Sequence, residues 1–214
     1  IVLAAIGMLL LYSQGVKRLD TLMRKGWFQY VQRPRAVDRS SLTTRPDFML
    51  GLYRPEIPFA LSSLYEIQER LNVRFSIISY YQAWGDSAEH QLNGDVLRNL
   101  HRGDFVPLIT WEPWVNAFSA MEGSAPDSSL QLIASGAFDR YIHSWARNAV
   151  RFGKPMFVRM GHEMSNPWYS WSSQHGNTGE DFRKFWRHVV TIFRLEGARN
   201  VAFVWNPYLP SDTT

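Results

Sequence analysis

The sequence predicts an α/β fold with a parallel sheet, and three observations carry that reading. Short apolar or alternating runs recur five times between residues 48 and 205. Helix-like sequence separates each run from the next. Glycine and proline interrupt the apolar periodicity where one pattern gives way to the other, as at Gly153, Pro155 and Gly197. Strands that alternate with helices pair in parallel, because a parallel neighbour needs a crossover long enough to hold a helix.

The strand-like runs are residues 48–53, 74–81, 105–111, 156–160 and 201–205. Between the first two, Leu61, Leu64, Ile67 and Leu71 form one apolar stripe at helical spacing. Val96, Leu97 and Leu100 mark a weaker helix before the third run, with Gly94 counting against it. Phe138, Ile142, Trp145 and Ala149 form the next stripe, stopped by Gly153 and Pro155. Phe182, Phe185, Val189, Ile192 and Phe193 form the last, opened by residues 178–181 and closed at Gly197.

A chain of 214 residues, 45% of them hydrophobic, is long and apolar enough to bury a full core as one large domain. It has no cysteine, which excludes a disulfide scaffold, a thiolate metal site and a cysteine nucleophile. The net charge of +4 is unevenly placed. Residues 17–54 hold nine basic and three acidic side chains, whereas residues 55–214 carry a net −2, so the globular part has no nucleic-acid footprint. Residues 1–12 are apolar throughout, yet shorter than the ~20 residues that cross a bilayer. Residues 1–16 therefore read as part of a transmembrane helix or signal anchor, with a buried or interfacial helix as the competing reading. Residues 17–45 read as a basic juxtamembrane segment and linker, and 46–214 as the folded domain. The expected location is membrane-anchored, extracellular or periplasmic, against which the basic flank favours the cytoplasmic side.

The chemistry gathers where the predicted strands end. Tyr53 follows the first, Trp84 the second, Trp111, Glu112 and Trp114 the third, His162, Glu163, Trp168 and Trp171 the fourth, and Trp205 and Asn206 the fifth. Six of the nine tryptophans thus fall at one rim, the end at which α/β folds keep their sites. Aromatic faces suit the apolar C–H faces of pyranose rings, and carboxylates and amides suit their hydroxyl edges. The expected partner is a polysaccharide or oligosaccharide. His162-Glu163 does not open a zinc helix, because that motif needs a second histidine where Asn166 stands, followed at once by Pro167. No metal or other cofactor is expected.

Gly161-His162-Glu163-Met164 with Trp168-Tyr169-x-Trp171, joined to Gly51-x-Tyr53, Thr110-Trp111-Glu112-Pro113-Trp114 and Val204-Trp205-Asn206-Pro207, resembles the family 26 glycoside hydrolases, best known for endo-β-mannanases. The resemblance covers about residues 46–210. It implies a (β/α)8 TIM barrel, present here as roughly the first five strand–helix units, and hydrolysis with retention of configuration. Glu163 would be the acid/base, His162 a neighbour shaping the site and Trp168 a sugar-contacting ring. The second carboxylate, the nucleophile, would stand at the end of a seventh strand beyond Thr214, and residues 1–214 alone would then be inactive. A retaining glycosidase sets its two carboxyl groups ~5–5.5 Å apart across the scissile bond.

Glu112 has three readings: hydrogen bonding to sugar hydroxyls, a structural salt bridge, or the nucleophile. Asn206 is either a loop cap or a sugar contact. Arg159 reads as structural beneath the site. As a whole, the chain reads as a glycosidase acting on a β-linked polysaccharide, β-mannan first and other β-glycans or an exopolysaccharide next. The alternative is a membrane-tethered carbohydrate-binding domain without catalysis.

Overall fold

The computed structural model describes residues 49–121 and 129–208. The expected anchor and basic segment, residues 1–45, lie outside them. No helix among the described residues is long and apolar enough to cross a membrane.

The elements run β1 (Gly51–Tyr53), α1 (Leu61–Leu71), β2 (Ile77–Ala83), α2 (Gly94–Arg102), β3 (Val106–Glu112), α3 (Ser129–Ala134), α4 (Asp139–Phe152), β4 (Met156–Met160), α5 (Gly179–Leu195) and β5 (Val201–Val204). All four strand pairings are parallel and the strands lie in chain order, which is the first five strand–helix units of a (β/α)8 barrel.

The two faces of the sheet differ. Pro107, Ile109 and Trp111 of β3 and Met156, Val158 and Met160 of β4 are buried, and so are Ile78 and Tyr80 of β2. Trp111 shows what covers them: its ring lies 4.5 Å from Trp145 on α4 and 5.9 Å from Phe193 on α5. Side chains alternate along a strand, so the opposite face carries Tyr81, Leu108, Glu112, Phe157 and Arg159, of which Tyr81 is exposed and the rest half-buried. This is the concave face of the barrel.

Most helix expectations hold. Gly94 does not weaken α2, because it is the first helical residue, and the Asn93 side chain caps that end by accepting from the backbone N–H groups of Asp95 and Val96. Helix α5 opens with a capping box in which Thr178 and Asp181 satisfy each other's backbone N–H. Three expectations need correction. Leu71 is exposed rather than part of the buried stripe, because it sits in the last turn of α1 beside a left-handed Asn72. β1 is three residues long, and β2 begins at Ile77 rather than at residue 74. The short helix α3 had no expected counterpart.

Candidate active site at the strand ends

β4 ends in a backbone reversal. Gly161 and Glu163 both have positive φ, +52° and +50°. Glycine takes this conformation freely, and a glutamate takes it only when its surroundings hold it there. The hold is visible. Glu163 N donates to the carbonyl of Asn206 across the end of β5 at 2.6 Å, and the Glu163 carbonyl accepts from Asn166 N at 2.8 Å. Ser165 Oγ donates to the Tyr208 carbonyl, a second tie between the same two loops.

The Glu163 carboxylate accepts a hydrogen bond from Asn166 Nδ2 at 2.9 Å through Oε2. The other face of the Asn166 amide accepts from Trp168 N. One buried asparagine therefore connects the acid to the exposed tryptophan, whose side chain is the most open large aromatic among the described residues, at 84% exposure.

His162 is buried. Its Nε2 meets the Tyr169 hydroxyl at 2.9 Å, its carbonyl accepts from Trp171 Nε1, and its ring lies edge-on to Tyr81. Burial, then the nearby Arg159 charge, hold its pKa down at about 4 against an opposing pull from Glu163, so the imidazole is neutral at neutral pH. Arg159 donates twice to Thr110 Oγ1 and lies 5.7 Å over the Tyr81 ring, which places it on the concave face beneath the acids. Burial raises the Glu112 pKa, opposed by a hydrogen bond from the Trp114 side chain and by Arg159. Burial raises the Tyr169 pKa as well, and the charges of Glu163 and Glu112 push in the same direction. Both carboxylates thus act on one tyrosine hydroxyl.

The expected rim residues divide into two groups. Tyr53, Trp168 and Trp205 are exposed at the strand ends, and Glu112, Trp114, Glu163 and Asn206 stand there half-buried. Trp84, Trp111 and Trp171 are buried: each is at most 1% exposed, which corrects their assignment as substrate contacts. Trp111 falls on the helix-facing parity of β3. Trp84 packs 4.5 Å from it, between Tyr141, Phe138 and Phe185. Trp171 lies beneath the loop, stacked on Tyr169 and edge-on to Trp114. The sequence assigned no site role to Asn166 or Thr110, and it showed Tyr81 and Tyr169 only as aromatics near the rim. Asn166 carried a local signal, an amide three residues after an acid and before a proline, where side chain–backbone bonds are common. The contacts of the other three arise only from tertiary packing. Among the described residues no group of His, Asp or Glu is arranged to hold a metal ion.

No family model matches the chain. Over 150 residues it is 31% identical to Endoglucanase H of Acetivibrio thermocellus, a match that covers 69% of this chain and 15% of that protein. It is 29% identical over 115 residues to Beta-1,3-xylanase TXYA of a Vibrio species, covering 53% of this chain and 23% of that one. Among solved structures, a β-mannanase from a symbiotic protist of the termite Reticulitermes speratus, complexed with gluco-manno-oligosaccharide, matches with a TM-score of 0.53 at 17% identity, over 73% of this chain and 56% of that one. The chain therefore spans less than a quarter of these relatives and about half of that structure. In its motifs, and now in its fold, the chain resembles the family 26 glycoside hydrolases.

Proposed function

We propose that the protein hydrolyses O-glycosidic bonds of a β-linked polysaccharide, β-mannan first, by double displacement with Glu163 as the acid/base. The observation that supports this most is the holding of Glu163. A backbone conformation that costs energy is fixed from two sides at the carboxyl end of a barrel strand, next to exposed Trp168 and Trp205.

In the first step Glu163 gives its proton to the glycosidic oxygen as the C–O bond breaks, while a second carboxylate attacks the anomeric carbon. In the second step Glu163 takes a proton from water, which displaces that carboxylate. Asn166 orients the Glu163 carboxylate, neutral His162 and Tyr169 wall the site, and Trp168 and Trp205 offer flat faces to sugar rings. Glu112, hydrogen-bonded by Trp114, is assigned to hydroxyl recognition, the role that the family resemblance favours. The nucleophile is assigned, as the resemblance implies, to a carboxylate at the end of a seventh strand.

Glu163→Ala in the full-length protein should slow hydrolysis of mannan by several orders of magnitude and that of activated aryl glycosides far less, because a good leaving group needs little proton donation. Equal losses on both substrates would remove Glu163 from the acid/base role. Undiminished polysaccharide turnover would sink the reading altogether. A protein that binds manno-oligosaccharide yet turns over neither substrate would instead be a carbohydrate-binding domain. A 2-fluoroglycoside trap followed by peptide mapping then locates the nucleophile: label on Glu112 would make that residue the attacking group and contradict its part in hydroxyl recognition.

A further inference from the structure

The opposite rim, where the strands begin, has a different character. Leu50, Ser76 and Val106 are joined there by backbone hydrogen bonds, and Met156 N bonds to the Asn200 carbonyl, so the turns entering β2, β3, β4 and β5 share one end of the sheet. Arg70, Arg74, Arg102, Arg151, Lys154, Arg194 and Arg199 all fall in those turns or in the last helical turn before them, and all are exposed. They are half of the fourteen cations between residues 55 and 214, a stretch whose net charge is −2. Glu69 and Asp104 are exposed acids at the same end, and Glu196 is engaged there by His143 and Arg147. Asp86, Glu89, Glu112, Glu163, Glu180 and Asp181 lie toward the other rim.

Helix dipoles account for some of this, since cations in a last helical turn meet the negative end of the helix. They do not account for Arg74, Lys154 and Arg199, which stand in the turns past the helices. Nor do they account for the exposed apolar side chains interspersed with the cations, Met49, Leu71, Val150 and Leu195. Cations set among exposed aliphatic groups are the chemistry of an interface with anionic lipid, where the charges meet headgroups and the aliphatic groups meet the acyl boundary. The chain also enters the body at Met49 on this rim, shortly after residues 17–47, which hold eight basic and three acidic side chains.

We propose that the strand-start rim docks on the surface of an anionic bilayer, which turns the strand ends and Glu163 away from the membrane. This does not depend on the glycosidase reading.

The absence of cysteine allows a clean test. Val150→Cys on the proposed surface and Ser173→Cys in the loop after β4 are each labelled with an environment-sensitive fluorophore in the full chain. Vesicles of phosphatidylglycerol and phosphatidylcholine in equal parts should blue-shift the label at 150 and leave that at 173 unchanged. Vesicles of phosphatidylcholine alone should shift neither, and salt at about 0.5 M should abolish the shift by screening. A variant combining Arg74→Ser, Arg151→Ser, Lys154→Ser and Arg199→Ser should partition onto the anionic vesicles at least ~tenfold more weakly with an unchanged melting temperature, since each cation near such a surface is worth roughly fivefold. The proposal is overturned by no shift at 150, by equal shifts at both positions, or by undiminished partitioning of the variant. A shift caused instead by polygalacturonate or duplex DNA overturns it too.

Discussion

Trp84 and Trp168 are the same side chain in the segments that follow β2 and β4, yet one is wholly buried and the other is the most exposed large aromatic among the described residues. Trp84→Ala should cost ~3–5 kcal/mol of stability in urea unfolding, as expected for a large aromatic lost from a close-packed cluster. Trp168→Ala should leave the melting temperature in place and weaken manno-oligosaccharide binding by ~1–3 kcal/mol in titration calorimetry, because only a ligand contact disappears. A reversed pattern would exchange their roles. The sequence located both residues near strand ends but not the direction of each ring. For Trp111 the reason is parity: the strand-end position was legible, and the pleat alone decides whether the ring meets helices or solvent. Trp84 and Trp171 sit in loops, where no period exists to read.

The segment between β4 and α5 carries the candidate acid, and it is anchored at both ends. Asn177 accepts from Leu130 N at the start of α3 and donates to the carbonyls of Ser170 and Ser172, so the least expected helix helps to fix the aromatic loop. Asn177→Ala should cost ~1–3 kcal/mol, since it leaves buried backbone groups unpaired, and amide exchange should quicken in residues 170–172. Unchanged exchange there would assign the bracing to other contacts. At the near end, an added Cβ on Gly161 would lie 3.2 Å from Phe185, at a φ of +52° that side-chain-bearing residues rarely adopt. Gly161→Ala should therefore destabilise the fold by more than an exposed Gly→Ala change gains, read as a drop in urea midpoint. Longer elements were legible because fourteen or seventeen residues, as in α4 and α5, repeat the helical period several times. Helix α3, six residues long, does not complete two turns, and nothing in its sequence distinguished it from loop.

Across the whole molecule, the buried imidazole and the bonded carboxylates respond differently to acid. His162 has a folded pKa near 4, below the ~6.5 of an unfolded histidine, so the unfolded chain binds the extra proton between those values. Its contribution is present above pH 6.5 and is lost as pH falls toward 4, up to about 3 kcal/mol for a shift of this size. Asp181 and Glu196 have lowered pKa values, the first from Thr178 hydrogen bonds and the second from His143. Their contribution is present above the ordinary carboxylate range and lost below it. Urea unfolding across about pH 3–8 should show two regimes, and His162→Gln should flatten the upper one alone. A slope between about pH 4 and 6.5 that survives the substitution would place its origin elsewhere. At this scale the parallel sheet was the most legible property of the chain, since alternation of strand and helix requires parallel pairing, whereas the chain-order barrel was implied by the family resemblance. For the candidate site, the positions of Glu163 and of the exposed Trp168 and Trp205 were legible, and the hydrogen bonds that hold them were not.

The bond from Glu163 N to the Asn206 carbonyl has a consequence for synthesis. Its companion, Ser165 to Tyr208, joins residues 43 apart. A ribosome that has finished β4 and the turn after it has made every atom of the acid but none of the backbone that keeps it in its left-handed conformation. That backbone leaves the exit tunnel only after the whole of α5 has been made. The newborn protein therefore carries the carboxylate for some seconds before it carries the site, at translation rates of ~5–20 residues per second.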